Sequence, residues 1–282
     1  MALSIVIIWR SSRVINFAQA GLALFSTYIG YECVKIIGNY WLALPIAVLV
    51  GALVASLIEF LFMRFLAKLH TNSPISAVAP IIVTLGVLGI IRASIAFIWG
   101  GQELRIAAPL SNIGYSIGNK TLVFSPMKLM ILISVLIVLL ILGIIFQRTN
   151  LGLALKASSF APEISRLSGV KVDLIRNIGW ALSGGVAALA GLLQTANGSG
   201  SISPEALEFA ILLVSGFIAA VIGGLESLIG AVFGGLLLGT LVSFALMYID
   251  GGLFFIAPLF ILILVLIFRP RGLFAPKAGR HA

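Results

Sequence analysis

The chain has 282 residues, of which 61% are hydrophobic and only 10% charged, with a mean hydropathy of +1.20; a soluble domain, in which roughly a quarter of residues carry charge, is excluded. The net charge of +9 comes from 18 basic and 9 acidic residues, clustered between oily runs; no basic face alternates with exposed aromatics, which argues against nucleic-acid binding and fits loops facing an anionic cytoplasmic leaflet. One cysteine, Cys33, permits no disulfide within the chain and no thiolate metal cluster.

What remains is an all-α, polytopic transmembrane helical bundle, with lipid as solvent for most of its surface. The first apolar run, Met1 to Trp9, covers ~13 Å of helix at ~1.5 Å per residue, against a hydrocarbon core of ~30 Å. It is too short for the apolar core of a signal peptide, and the basic residues follow it where they should precede it. It reads as the end of a truncated first span, in a chain that starts late at an internal methionine or belongs to a shortened variant.

RSSRVINFAQAG follows at 10–21. Its arginines, Arg10 and Arg13, mark a membrane face, and Asn16 and Gln19 enter the first full span. About eight spans follow, at 18–36, 42–62, 75–99, 126–146, 177–197, two in 208–249 broken by GGLES at 223–227, and 252–268. Short-loop charge sets their direction. Arg10 and Arg13, then Arg64 and Lys68, then Arg148, Lys156, Arg166, Lys171 and Arg176, then the tail's Arg269, Arg271, Lys277 and Arg280 all fall on one side. That side is expected to be the cytoplasm, with the C-terminus in it. The segments 37–41, 100–125, 198–207 and 250–251 are expected outside.

Polar groups within the spans are few. Arg92 lies about seven residues from the outer end of the third span, ~10 Å at 1.5 Å per residue. It can snorkel to the interface, pair with another helix, or meet a substrate carboxylate. Asn16 and Gln19, with Gln194 and Asn197 at the end of the fifth span, either line a path or hydrogen-bond between helices. Glu32 and Lys35 are spaced to pair. Glu59 and Arg64 anchor the inner end of the second span, and Glu226 is placed to cap a helix in the inner turn. No carboxylate is expected at mid-membrane, which argues against proton coupling and for ATP drive supplied by another chain.

Small residues crowd the second half: Ser183, Gly184, Gly185 and Gly191, then Gly230 with Gly234 and Gly235 with Gly239 at GxxxG spacing. Such ridges let helices approach closely. They serve packing inside one bundle, or contact with a partner chain or the path.

Enzyme motifs are absent: there is no GxSxG, HExxH or CxxC, and His70 and His281 lie in a loop and at the tail. GYSIGNKT at 114–121 fails as a phosphate loop because Asn119 separates Gly118 from Lys120. The chain is expected to be no enzyme and to hold no cofactor.

The longest inner segment, 147–176, contains the run TNLGLALKASSFAPEISRLSGVKVDLIR. LGLALKA favours helix. Pro162 suits the first turn of a second helix, with Glu163 at its positive end. Ile164 and Leu167 share a face at i, i+3, and Gly169 ends the helix.

The spacing from Glu163 to Gly169 resembles the EAA loop of ABC importer permeases, with Ile164 and Ser165 in place of the two alanines. Thr149, Leu151, Gly152, Leu155, Lys156, Ala157, Gly169 and Val170 resemble the LivH-type branched-chain amino-acid permeases more specifically. So do RVINFAQAG (13–21), ALSGGVAALAGLL (181–193), AAVIGGLESLIGAVFGGLLLG (219–239) and FRPRGLFAP (268–276). The resemblance covers nearly the whole chain from about residue 10. It implies a single transmembrane permease domain over 1–282, in a bacterial-type inner membrane, with a cytoplasmic coupling loop at 147–176. It implies a related LivM-type permease partner, two cytoplasmic ATP-binding subunits that hold the ATP, and an extracytoplasmic solute-binding protein. The coupling residues would be Lys156, Glu163, Ile164, Arg166, Leu167 and Gly169. Ile164 and Leu167 would pack in a groove of an ATPase, and Arg166 and Lys171 would make polar contacts around them. The solute would be a branched-chain or related small polar amino acid. The competing reading is a self-contained secondary transporter or channel for a small polar solute.

Overall fold

A computed structural model describes residues 1–68, 75–117, 120–121, 124–249, 256–269 and 272–274. His70, His281, the tail cations Arg271, Lys277 and Arg280, and the segment 250–251 lie outside the described residues. The helices are α1 (Ala2–Ser12), α2 (Gln19–Ile37) and α3 (Tyr40–Ile58), which continues through a π-helical turn at Glu59–Met63 into α4 (Arg64–Lys68). Then come α5 (Ile75–Trp99), α6 (Pro126–Arg148), α7 (Asn150–Phe160), α8 (Pro162–Leu167), α9 (Val172–Asn197), α10 (Leu207–Gly223), α11 (Leu228–Tyr248) and α12 (Ile256–Phe268).

Each of the eight expected spans has its helix. Among the described residues six helical runs are long and apolar enough to cross a membrane, while α10 and α12 are shorter, at 17 and 13 residues. Capping side chains set several ends. Asn39 accepts from the Trp41 N–H at 2.8 Å, Thr149 from Gly152 at 3.3 Å and Ser227 from Gly230 at 2.9 Å. The fifth span begins at Val172 rather than 177, because Asp173, Arg176 and Asn177 find partners in the fold and need no loop to reach water.

The described residues are almost wholly helical, as expected; the exceptions among them are four two-residue strands, β1 (Leu104–Arg105), β2 (Ser116–Ile117), β3 (Lys120–Thr121) and β4 (Ser201–Ile202). β1 pairs antiparallel with β4, setting Leu104 opposite Ile202, and so ties the segment after α5 to the segment after α9. β2 pairs antiparallel with β3, so Ser116, Ile117, Lys120 and Thr121 of the stretch that mimicked a phosphate loop lie in paired strands.

The core lies where α2, α3 and α9 cross. A Cβ on Gly184 would run into Ala55 and the Gly51 carbonyl, and one on Gly191 would come within 2.6 Å of the Ala23 carbonyl. Backbones this close require glycine. α1 is enclosed as well: Leu3 through Ile8 are all buried, among α7, α9, α10 and α11.

The glycine ridge of α11 divides. A Cβ on Gly230 or Gly234 would strike the backbone of Gly223 or Ala219 in α10, so that half packs within the chain. Gly239 faces open space, and Gly235 meets only the Ala219 Cβ at 3.9 Å. Gly235, Gly239, Thr240 and Ser243 instead line an open groove of about 410 Å³.

Candidate functional site at the basic end

The end of α1, helices α7 and α8, the start of α9 and the α10–α11 turn gather at one end of the bundle, with most of the described cations. α8 is a six-residue helix. Pro162 opens it, and Gly169 at φ +83° ends it. The Gly169 and Val170 N–H groups donate back to the Arg166 and Ser165 carbonyls at 3.0 and 2.9 Å. This turn needs the left-handed region, which a residue with a Cβ enters at a cost. Ser165 faces in and is buried, whereas Ile164 is 67% and Leu167 90% exposed. α8 therefore presents two large apolar side chains outward from a polar end of the molecule. Glu163, Lys156 and Lys171 are exposed and make no ion pair among the described residues.

Behind α8 runs a line of charges. The Arg166 guanidinium lies 3.2 Å from Asp173, and Asp173 lies 3.4 Å from Arg176. Arg176 Nε donates to Glu59 Oε1 at 2.7 Å. Asn177 Nδ2 donates to Glu59 Oε2 at 2.9 Å, and Arg64 stands 3.8 Å away. Glu59 has no exposed surface. A carboxylate taken out of water is tolerable only when paired and hydrogen-bonded, and here both oxygens are engaged. Asn177 also exchanges hydrogen bonds with Ser56, at 2.7 and 2.8 Å. Glu59 and Arg64 do anchor the end of the second span, as expected. The larger part of the anchor, Arg176 and Asn177 of α9, went unanticipated. Its one sequence signal is the polar run Asp173, Arg176, Asn177 at three- and four-residue spacing, hidden when that helix is started at 177.

Glu226 is a correction. It does not cap α11; Ser227 does. The Glu226 carboxylate instead accepts from Arg13 at 2.6 Å, because the turn brings it beside the α1–α2 link. Arg13 also lies over the Phe160 ring, 4.3 Å from its centroid, at the end of α7. The same turn receives the chain's last described residues: the Leu273 and Phe274 N–H groups donate to the Ile222 and Gly223 carbonyls at 2.8 and 3.2 Å.

The four candidate path residues form two groups. Asn16 and Gln19 are buried. Asn16 Nδ2 donates to Gln19 Oε1 at 2.9 Å, Gln19 Nε2 donates to Ser183 Oγ at 2.7 Å, and Ser183 Oγ donates to the Ser4 carbonyl at 2.7 Å. In this conformation they join α1, α2 and α9. Gln194 and Asn197 lie further along α9, Gln194 about 16 Å beyond Ser183 at 1.5 Å per residue. Both are half-buried, and neither side chain makes a hydrogen bond among the described residues.

Arg92 stands half-buried on α5, and its enclosed Nε has no hydrogen-bond partner. Glu32 lies 3.7 Å from Lys35, the pairing their spacing predicts, and accepts from Trp99 Nε1 at 3.0 Å. Among the described residues no three His, Cys, Asp or Glu side chains gather closely enough to hold a metal ion.

Residues 1–267 match the family model described as "Branched-chain amino acid transport system / permease component". The chain is 28% identical over 257 residues to a probable branched-chain amino acid transport permease protein, LivH, of Methanocaldococcus jannaschii; the match covers 88% of this chain and 77% of the relative. It is 24% identical to the high-affinity branched-chain amino acid transport system permease protein BraD of Pseudomonas aeruginosa, over 97% of this chain and 90% of that one. A fructose import permease protein, FrcC, of Rhizobium meliloti is 30% identical, but over 57% of this chain and 46% of its own length. No solved structure matches.

Proposed function

The chain belongs to the family of branched-chain amino acid transport permease components, and from that membership we propose that it is the membrane-spanning subunit of an ATP-driven importer. The solute we assign is a branched-chain or related small polar amino acid. Support for this class is the extent of the matches: the amino-acid permeases align along most of this chain, the fructose permease along little more than half. The working assembly has a second, LivM-type permease, two ATP-binding subunits at the basic end, and a solute-binding protein at the opposite end. ATP is bound and hydrolysed on the partners, and this chain does neither. The basic end, with the C-terminus, faces the cytoplasm of a bacterial-type cell.

One observation carries the coupling assignment: α8 holds Ile164 and Leu167 outward while Arg166 is tied through Asp173 and Arg176 to buried Glu59. Burying a leucine side chain on a partner contributes about 1.5–3 kcal/mol, so Leu167 and Ile164 are suited to grip a groove. The charge line behind them makes α8 stiff against α9 and the π-helical turn of α3. π-turns recur at functional sites, and a partner that moves α8 would shift both helices together between two packed arrangements. Lys156, Glu163, Arg166 and Lys171 supply the polar rim, and Gly169 sets the angle at which α8 stands. Asn16, Gln19, Gln194 and Asn197 are proposed to meet the solute when the bundle opens, and Arg92 to meet its carboxylate.

The test is reconstitution of the chain with its partner subunits in liposomes. Leucine uptake should stop on ATP depletion and survive an uncoupler. Leu167→Glu should assemble in the membrane yet lose solute-stimulated ATP hydrolysis. Uptake by this chain alone, without ATP, would instead establish a self-contained transporter or channel.

A further inference from the structure

At the basic end a pocket of about 330 Å³ opens between the end of α1, helix α7 and the α10–α11 turn. Arg10, Arg13, Lys156, Ser159, Phe160 and Glu226 line it. Three cations face one carboxylate. Glu226 is engaged by Arg13 at 2.6 Å, which leaves Arg10 and Lys156 without an ion pair among the described residues. Arg10 lies over the Phe146 ring at 4.5 Å from its centroid, and Arg13 over Phe160 at 4.3 Å. An aromatic face steadies a guanidinium plane but takes none of its five in-plane N–H groups. Arg10 makes no hydrogen bond to the described residues, and Arg13 spends one terminal nitrogen on Glu226. Among the described residues the pocket therefore offers oriented donors and three positive charges against the single carboxylate of Glu226, which Arg13 already engages.

We propose that this pocket binds a phosphate group. Guanidinium groups match phosphate oxygens in forked pairs, and the ammonium of Lys156 completes the cradle as a mobile point charge. An anionic lipid headgroup is the favoured source. α7 exposes Phe160, which lines the pocket, and Leu153 two turns earlier at i−7 on the same helix face, 62% and 70% accessible, and these suit acyl chains better than water. Basic pockets between helices on the cytoplasmic side are the usual seat of such headgroups. An occupied site would bridge α1, α7 and the α10–α11 turn, and α7 leads directly into α8. Lipid composition would then tune how firmly α8 is held.

The full chain in phosphatidylcholine nanodiscs, titrated with phosphatidylglycerol and read by native mass spectrometry, tests this. The wild type should retain phosphatidylglycerol, with Lys156→Gln weakening it about fivefold, the scale of one cation near an anionic surface. Arg10→Gln should weaken it about tenfold. Glu226→Gln should tighten it, since an opposing charge is removed. Lys171→Gln, at the same end but outside the pocket, should leave it unchanged. Lys156 is exposed, so its replacement does not endanger the fold. A second arm uses inorganic phosphate without phosphatidylglycerol. Saturable binding there, lost in Arg10→Gln, would still assign a phosphate site but make its source soluble. Equal binding by the wild type, Arg10→Gln and Lys156→Gln in both arms would overturn the proposal. So would variants that keep phosphatidylglycerol and lose only the ATP-binding subunits, which would show a partner carboxylate to be the occupant.

Discussion

Arg176 Nε and Glu59 Oε1 meet at 2.7 Å across 117 residues of sequence, in a site where the carboxylate has no exposed surface. The pair joins the start of α9 to the π-helical turn that extends α3. It is also the inner terminus of the charge line that begins on α8. A structural anchor and a link toward α8 are thus the same contact.

Removing the arginine should do more harm than removing both partners. Arg176→Ala leaves Glu59 buried beside Asn177 and a more distant Arg64, and should destabilise the chain by about 3–5 kcal/mol. The double variant Glu59→Gln with Arg176→Gln should recover much of that. Thermal unfolding of the detergent-purified chain measures both, and a double variant as unstable as the sum of the singles would refute the pairing.

Leu167→Ala separates contact from folding. Its side chain is almost fully exposed, so stability should change by less than about 0.5 kcal/mol. Retention of the ATP-binding subunits should weaken by about 1.5–3 kcal/mol, tenfold or more in dissociation constant. Co-purification under increasing dilution reads the second number.

Gly169→Ala tests the angle of α8. Among the described residues, no atom beyond the chain neighbours lies within 4 Å of the added methyl group, so the cost comes from φ +83°, about 1–2 kcal/mol. A modest fall in melting temperature is expected, together with a larger loss of solute-stimulated ATP hydrolysis because α8 would be turned. An unchanged hydrolysis rate would argue against α8 as the coupling element.

The two halves of the α11 ridge should respond oppositely to one methyl group. Gly234→Ala drives a Cβ into the Ala219 carbonyl and should unfold or repack α10 against α11. Gly239→Ala enters open space and should leave melting unchanged. If the groove beside Gly239 receives another chain, this second variant will lower the yield of assembled complex without altering the isolated subunit.

Gln19→Leu should cost about 1–3 kcal/mol by stranding the buried Asn16 amide, and by leaving Ser183 one hydrogen bond short. Gln194→Leu, which breaks no side-chain hydrogen bond, should leave stability unchanged. A fall in leucine uptake for Gln194→Leu at full stability would place that residue on the path.

The positions of the spans were legible in the sequence because lipid enforces them locally. Every backbone polar group must be satisfied within its own helix, so apolar length and flanking charge suffice to find one. The short helix at 162–167 was legible for a related reason: Pro162 and the left-handed Gly169 are local signals that need no partner. Lateral partners left little trace. That Asn16 and Gln19 hydrogen-bond to Ser183, and through it to Ser4, was not readable from their positions in the chain. Glu226 read as a cap until the turn brought Arg13 to it. The halves of the glycine ridge look alike in sequence, and only the approach of α10 distinguishes Gly234 from Gly239.

By itself, then, the sequence determined a bundle of apolar helices, the end that gathers the cations, and a short capped helix there with two apolar side chains on one face. The physical reason is that solvent preference and helix-end geometry act within a few residues. Only the tertiary structure decided which buried polar groups face one another, where backbones come close enough to need glycine, and that Arg166, Asp173, Arg176 and Glu59 form one line. Those depend on atoms brought together from different elements, Glu59 and Arg176 lying 117 residues apart, and no local pattern encodes which elements meet.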